Sequence, residues 1–319
     1  MLKGITQRLL LCSLLLIITS CTQPSAPVKI AINPWPGYEF LYLAEQKGFF
    51  ADENLNIKLV QLASLGDVQR AYLQGRVDGM ASTVIEVVQV ASVSNTSVDI
   101  ILIPDYSMGG DVIIAQKEIT TLADLKNKRV AAEVGSLDVF LLALALKKAN
   151  MRFSDIQMVG MGQLRIASAM LNGEIDAAIS YPPHSIKLLS HQQQHVIFSS
   201  ADVPKQIIDT ISLRGDLPQV DSNWLKKFYR VWQRALDFAK TNPEEAHQIM
   251  ATREGISSDE FEEALSGMVL LTSSEQRGAL THPTLQENVA LICHTLLSEN
   301  ALQGDCEKIQ EKVRVKYPE

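Results

Sequence analysis

Leu73-Gln74-Gly75-Arg76-Val77-Asp78-Gly79-Met80-Ala81-Ser82 and Leu171-Asn172-Gly173-Glu174-Ile175-Asp176-Ala177-Ala178-Ile179-Ser180 share one grammar. Each reads as the end of an amphipathic helix, a glycine able to take the left-handed cap, a hydrophobic-Asp step, and a short apolar strand ending in Ser. Self-similarity at this distance predicts a domain-sized α/β unit built twice, two lobes facing each other as a clamp. A Gly-capped helix running into a buried strand is also ordinary α/β syntax, so the rest of the chain must decide. If the duplication holds, Ser82 and Ser180 end matching strands in opposite lobes and face each other across the cleft.

Outward from these segments, strand-like apolar runs alternate with helical patterns over residues 28–212, which argues for parallel-rich sheets built from βαβ units. The first lobe is expected to hold strands at 28–32, 57–61, 79–82 and 99–103, with helices at 38–46, 67–73 and 85–91. The second restarts at 112–115, with strands at 129–133, 156–159 and 177–180 and helices at 137–149 and 164–171. Residues 196–199 and 210–214 read as the last strands. From Ser222 onward the pattern turns helical: Trp224, Phe228, Val231, Trp232, Leu236 and Phe238 recur at roughly helical spacing, and Asn242-Pro243-Glu244-Glu245 opens another helix. Such an aromatic stripe is core rather than cofactor site, and these helices read as scaffold packing back on the first lobe. The expected division is residues 28–111 with 213–319 as lobe 1, and residues 112–212 as lobe 2.

The ends and the composition narrow the setting. Lys3 and Arg8 precede an apolar run at residues 9–18, followed by Ile18-Thr19-Ser20-Cys21. That is a signal peptide over residues 1–20, too short for an ordinary transmembrane helix. Small residues just before a Cys resemble a bacterial lipobox, which makes Cys21 the lipidated N-terminus of a periplasmic, membrane-anchored lipoprotein and residues 21–27 a polar tether. Thr22 after that Cys resembles, in a Gram-negative host, the signal for sorting to the outer membrane. The formal charge of −7 becomes more negative once Lys3 and Arg8 leave, which argues against nucleic acid or an anionic membrane surface as partner. With Cys12 lost and Cys21 lipidated, Cys293 and Cys306 remain, separated by a turn signal at Gln303-Gly304-Asp305. In an oxidising compartment they can staple a helix hairpin, whereas a redox or metal role lacks the close spacing it needs.

In open parallel sheets, ligands bind at the carboxyl ends of strands, where loops and helix N-termini present backbone N–H groups. That rule selects Asn33-Pro34-Trp35-Pro36-Gly37-Tyr38-Glu39, Ser64-Leu65-Gly66-Asp67, Ser82-Thr83, and the loop from Pro104 through Tyr106 to Asp111. The second lobe adds Glu133-Val134-Gly135-Ser136-Leu137 and Ser180-Tyr181-Pro182-Pro183. Trp35, held between two prolines, can stack on a flat or cationic ligand, or fold under the loop to cover the sheet. Ser64 and Ser136 are also ordinary N-cap residues. His191 and His195 fall on one face if the segment is helical, yet a Gln-rich exposed helix end explains them without a metal. No GxSxG turn, HExxH helix, P-loop or clustered zinc ligands occur, so no catalytic residue, cofactor or metal is expected.

The run Ile30-Ala31-Ile32-Asn33-Pro34-Trp35-Pro36-Gly37-Tyr38-Glu39, with Leu41-Tyr42-Leu43-Ala44 and Lys47-Gly48-Phe49-Phe50, resembles the opening of nitrate/sulfonate/taurine-type periplasmic substrate-binding proteins, a group related to thiamine-pyrimidine precursor receptors. Ser64-Leu65-Gly66-Asp67, Glu133-Val134-Gly135-Ser136 and the doubled segments extend the likeness over residues 28–212. The resemblance implies a two-lobed type II periplasmic-binding fold with a C-terminal helical segment, a monomer that closes on a small molecule and delivers it to an ABC permease. It places ligand contacts at Trp35, Tyr38, Ser64, Ser82, Thr83, Gly135 and Ser136, to which the strand-end rule adds Tyr106, Asp111 and Tyr181. Where family members often carry Trp-Glu-Pro, this chain has Tyr181-Pro182-Pro183. The loops also carry Glu39, Asp67, Glu86, Asp105, Asp111 and Glu133, with Arg165 as the nearby arginine. A tetrahedral anion among unpaired carboxylates is unfavourable, so a neutral or nitrogen-containing organic ligand is expected. Two alternatives follow from the same fold: a periplasmic sensor signalling to a membrane partner such as a diguanylate cyclase, and a pyrimidine-precursor enzyme, whose Cys-rich segment this chain lacks.

Overall fold

The structure is a computed structural model that describes residues 26–191 and 193–318. The signal peptide, Cys21 and most of the tether lie outside the described residues. Its strands are β1 (Val28–Ile32), β2 (Ile57–Gln61), β3 (Gly79–Thr83), β4 (Val98–Leu102), β5 (Asp105–Ser107), β6 (Val112–Gln116), β7 (Arg129–Ala132), β8 (Gln157–Gly160), β9 (Ala177–Ser180), β10 (Gln194–Ser199), β11 (Asp209–Arg214), β12 (Met268–Leu270) and β13 (Val313–Val315). One sheet has the order β13-β4-β11-β3-β1-β2, a second the order β10-β6-β9-β7-β8, and β12 pairs with β5. The central strands β3, β4 and β9 are buried along their whole length, which is why they read as continuous apolar runs without polar alternation.

The helices are α1 (Glu39–Gln46), α2 (Phe49–Asp52), α3 (Leu65–Leu73), α4 (Val84–Val93), α5 (Leu137–Lys148), α6 (Gln163–Leu171), α7 (His184–Leu189), α8 (Ser222–Thr241), α9 (Pro243–Glu254), α10 (Ser258–Leu265), α11 (Gln276–Thr281), α12 (Pro283–Ser298) and α13 (Cys306–Lys312). None is long and apolar enough to cross a membrane.

The doubled segment occupies equivalent places in the two sheets. Gly75 and Gly173 end α3 and α6 at φ +66° and +70°, the left-handed turn that a side chain resists. Asp78 then accepts the Lys29 amide at 2.9 Å and Asp176 the Arg129 amide at 2.8 Å. In each sheet the Asp ties the start of its strand to a parallel neighbour, β3 to β1 and β9 to β7. Both serines are buried, each bonded within its own half. Ser82 Oγ donates to the Thr83 carbonyl at 3.4 Å and Ser180 Oγ to Gln163 Oε1 at 3.0 Å, because burial obliges a hydroxyl to find a local acceptor.

Both sheets are mixed rather than parallel throughout. β11 runs antiparallel between β3 and β4, and β6 antiparallel between β9 and β10. β11 pairs in the first sheet from Asp209, so a boundary at residues 212 and 213 falls inside a strand. The chain crosses between the sheets twice, and the crossings lie side by side: Tyr106 bridges Ile208, the Ser107 amide donates to the Ile207 carbonyl, and the Ser107 and Ser200 hydroxyls meet at 2.8 Å. β12 flanks the first crossing through β5. His195 lies in β10 and His191 in a bend after α7, so no helical face carries the pair; β10 needs extended backbone to pair with β6.

The C-terminal helices do more than cover the first sheet. α8 buries Trp224, Phe228 and Trp232, with Phe50 stacked on Phe228 and Phe40 edge-on to Trp232. α12 packs on both α4 and α5, touching the two halves together. Cys293 in α12 and Cys306 at the start of α13 are joined by a disulfide, Cα–Cα 5.9 Å. That link carries the chain into β13, which closes the edge of the first sheet beside β4.

Candidate ligand-binding cleft

Between the two sheets lies a tightly closed cleft, too narrow as it stands for a water-sized molecule, lined by Asn33, Trp35, Tyr38, Leu65, Asp111, Leu137, Tyr181 and Asp209. The loop after β1 supplies three of these. Pro34 and Pro36 stiffen it, and Gly37 lets it fold down, since a Cβ there would sit 1.9 Å from Asp105 Oδ2. Trp35, only 4% exposed, lies over Gly110, where a Cβ would meet the ring at 2.7 Å. Its Nε1 donates to Asp105 at 3.3 Å, and the Tyr38 hydroxyl donates to Asp209. Tyr181 reaches across from the end of β9, 6.3 Å and 77° from Trp35, with its hydroxyl 3.5 Å from the Leu65 amide.

The rim is held by bonds between the halves. Ser64 caps α3 and its Oγ donates to Glu133 Oε1 at 2.6 Å. The Gly66 and Leu137 amides lie toward the carboxyls of Glu133 and Glu86 and lower them in part. His184 is pushed down to about 4 by burial.

Carboxyl groups dominate the electrostatics. Burial pushes Asp111 up to about 7, offset only in part by the Ser107 hydroxyl, which also bonds Ser200 and the Asp111 amide. Asp111 is 1% exposed, and apart from that approach of the Ser107 hydroxyl neither carboxyl oxygen has a hydrogen-bond partner among the described residues. Burial, then the charges of Asp105 and Asp111, hold Asp209 well above the usual carboxylate range; burial likewise raises Asp105. Glu86 is pushed by burial up to about 7 despite bonds from the Thr83 hydroxyl and amide at 2.6 and 2.8 Å. Asp138 is raised well above its usual range by burial, although it accepts the Glu133 amide and Gln163 Nε2. Among the described residues no Lys, Arg or His lines the cavity. An arginine outside the expected set, Arg253 from α9, is spent on buried Glu39 away from the cavity.

Of the residues singled out in the sequence, Trp35, Tyr38, Asp111 and Tyr181 meet at this cavity, and Ser64 stands at its rim. Thr83 and Ser136 cap α4 and α5, and their hydroxyls are engaged by Glu86 and by the Glu133 carbonyl. Ser82 is buried within its sheet. Gly135 faces an outer groove with Leu73, Val93 and Met158, and Tyr106 a surface hollow with Met108 and Lys205. Asp209 and Asp138 were not singled out. Asp209 begins a strand antiparallel to its neighbours, so the strand-end rule for parallel sheets passes over it. Among the described residues no group of His, Cys, Asp and Glu is arranged to hold a metal ion.

Two mixed sheets joined by paired crossings around a closed cleft define a two-lobed periplasmic-binding-protein fold. The crystal structure of the periplasmic aliphatic sulphonate binding protein of Escherichia coli has this fold, with a TM-score of 0.74 at 16% identity over 90% of this chain and 97% of that one. The chain belongs to the NMT1/THI5-like family, whose profile matches residues 35–246. A Brucella abortus protein described as a binding protein is 29% identical over 175 residues, 52% of this chain and 53% of that protein, so the chain spans about half the length of this relative. The formylaminopyrimidine-binding protein of Halalkalibacterium halodurans is 20% identical over 253 residues, 75% of this chain and 76% of that one.

Proposed function

We propose that this protein is the solute-binding component of an ABC import system, a monomer that closes its lobes on a small nitrogen-bearing organic molecule and hands it to a permease without chemical change. Family membership and binding-protein relatives support the receptor role. The ligand class rests on one observation above all: among the described residues, Asp111 is buried at the cavity with no approach to its carboxyl oxygens but that of the Ser107 hydroxyl and no basic side chain in the lining. Burial raises this carboxyl to about 7, so its ionisation is costly until a hydrogen-bond donor or a cation reaches it. A ligand with N–H groups or positive charge removes that cost, whereas a sulfonate or nitrate adds to it. The names of relatives divide between these classes, and the acidic lining favours the nitrogen compound.

The lobes are assigned as residues 28–111 with 209–319, and residues 112–208, the second boundary moved ahead of β11, with Trp35, Tyr38, Asp111 and Tyr181 as ligand contacts. Cys21 carries the lipid that keeps the chain at the membrane, and Cys21→Ser is expected to release it into the soluble periplasmic fraction; retention on the membrane refutes the anchor. Thermal-shift screening with amines, amidines, aminopyrimidines, sulfonates and nitrate tests the ligand class, because a ligand bound only to the folded state raises the melting temperature, by about 2.7 kcal/mol of stability at a hundred times its dissociation constant. A nitrogen compound is expected to give the shift and be recovered unchanged. A shift from sulfonate or nitrate alone refutes the ligand class, and recovery of a reaction product refutes the receptor role.

A further inference from the structure

The lining of the cavity says more about the ligand than its sign of charge. The rings of Trp35 and Tyr38 lie 6.4 Å apart at 54°, and those of Trp35 and Tyr181 6.3 Å apart at 77°. These rings are mutually inclined, not parallel plates. Two of their polar edges donate within the protein, Trp35 Nε1 to Asp105 and the Tyr38 hydroxyl to Asp209, and the Tyr181 hydroxyl faces the Leu65 amide. What the three rings chiefly offer a ligand is therefore π surface. Among the described residues, the oxygens at the cavity without a close hydrogen-bond partner are both on Asp111 and Oδ1 of Asn33, whose amide nitrogen bonds the Pro34 carbonyl, while the Asp209 carboxyl is engaged by Tyr38 and Asp105. In this closed arrangement the rings and carboxyls pack together and leave no room for a ligand, so one enters only as the halves part.

Inclined aromatic walls and a buried carboxyl select one ligand chemistry. A cation whose charge is spread over methyl groups is attracted to ring faces and to a carboxylate at once, and asks for no hydrogen bond in return. A planar aminopyrimidine is served less well, because it stacks best on parallel faces and its ring nitrogens need donors facing them. An oxyanion would face Asp111 and Asp209 without a counter-charge.

We propose that the ligand is an alkylated ammonium ion, its methyl-bearing nitrogen seated among Trp35, Tyr38 and Tyr181 with Asp111 as the counter-charge. This assignment rests on the solute-receptor reading above and narrows it. Because Trp35 comes from the first half of the fold and Tyr181 from the second, the cation is gripped only when the halves are together. Recognition and closure are then one event.

Isothermal titration calorimetry of the full chain tests it, with choline and tetramethylammonium as probes and three comparators: 3,3-dimethylbutan-1-ol, which has choline's shape without its charge, 4-amino-5-hydroxymethyl-2-methylpyrimidine, and taurine. At least one ammonium ion is expected to bind, with the neutral analogue weaker by about tenfold or more. Trp35→Leu and Asp111→Asn are each expected to weaken that binding by about tenfold or more, in variants whose cooperative melting shows that they fold. Equal binding of the neutral analogue, unchanged affinity in both folded variants, or no binding of either ammonium ion at millimolar concentration overturns the assignment. Binding of the pyrimidine without either ammonium ion overturns it while leaving the nitrogen-ligand receptor intact; binding of taurine alone overturns both.

Discussion

Asp111 shows how one residue can be read both as a site and as a weakness in the fold. Its carboxyl is pushed up to about 7 by burial, so the folded protein keeps a proton there that the unfolded chain, near its ordinary 3.8, has released. Stability from that proton is fully present below the unfolded value and is lost as pH rises through about 7. Asp111→Asn never ionises, so it is expected to melt higher than the parent at about pH 8, by on the order of 2–4 kcal/mol, and alike at about pH 4. Differential scanning calorimetry of the ligand-free proteins reads this, and an unchanged melting temperature at the higher pH contradicts it. Trp35, Tyr38, Asp111 and Tyr181 were legible because they stand in loops at strand ends, the places where such folds bind. The hydroxyls of Thr83 and Ser136 were read the same way but serve as helix caps, a use with the same sequence signature. Asp209 and Asp138 gave no local sign, since what makes them site neighbours is proximity to residues about a hundred positions away or in the other lobe.

At the scale of elements, regular strands and helices with strong periodicity appear close to where the pattern puts them: β1, β2 and β9 match residue for residue. The three-residue strands β5, β12 and β13 were not visible, because so short a strand exists only through a partner distant in sequence. The same holds for α12, which spans both halves through contacts that its sequence shares with any amphipathic helix. Its disulfide to α13 closes a loop of 13 residues of separation. Loop-closure entropy for a ring of that size is worth about 3 kcal/mol. Cys293→Ser with Cys306→Ser is expected to lower stability in urea by about that amount while leaving ligand affinity within about twofold, since neither cysteine lines the cavity. A larger loss of affinity than of stability would mean that α12 governs closure rather than fastening the chain's end.

Across the whole molecule, acidic groups converge on the cleft from both halves. Asp138 feels Asp111 and Glu86, and Asp209 feels Asp105 and Asp111. The other titratable groups facing them are Glu133, Tyr38 and Tyr181, all raised by burial, and His184, which is uncharged above about 4. Arg70 softens Glu133 only from the surface, paired with Asp67 at 2.6 Å. Below about 7 most of these acids are neutral and the halves meet without repulsion; above it, like charges face each other over the cavity. The ligand-free protein is therefore expected to open as pH rises from about 5 to about 8, seen as a larger radius of gyration in X-ray scattering, and a saturating cationic ligand to reverse it. An unchanged radius over that range contradicts the repulsion.

Sequence alone determined the α/β class, the doubled unit, the strand-end loops and the acidity of those loops, because hydrophobic periodicity, glycine caps and charge are local properties carried by consecutive residues. Only the tertiary structure decided which loops meet. It brought Trp35, Asp111, Tyr181 and Asp209 to one cavity, buried the Ser82 and Ser180 hydroxyls in bonds within their own halves, and left Asp111 with no approach but that of Ser107 among the described residues, since burial and distance between remote residues depend on how two sheets and their crossings pack rather than on any single stretch of chain.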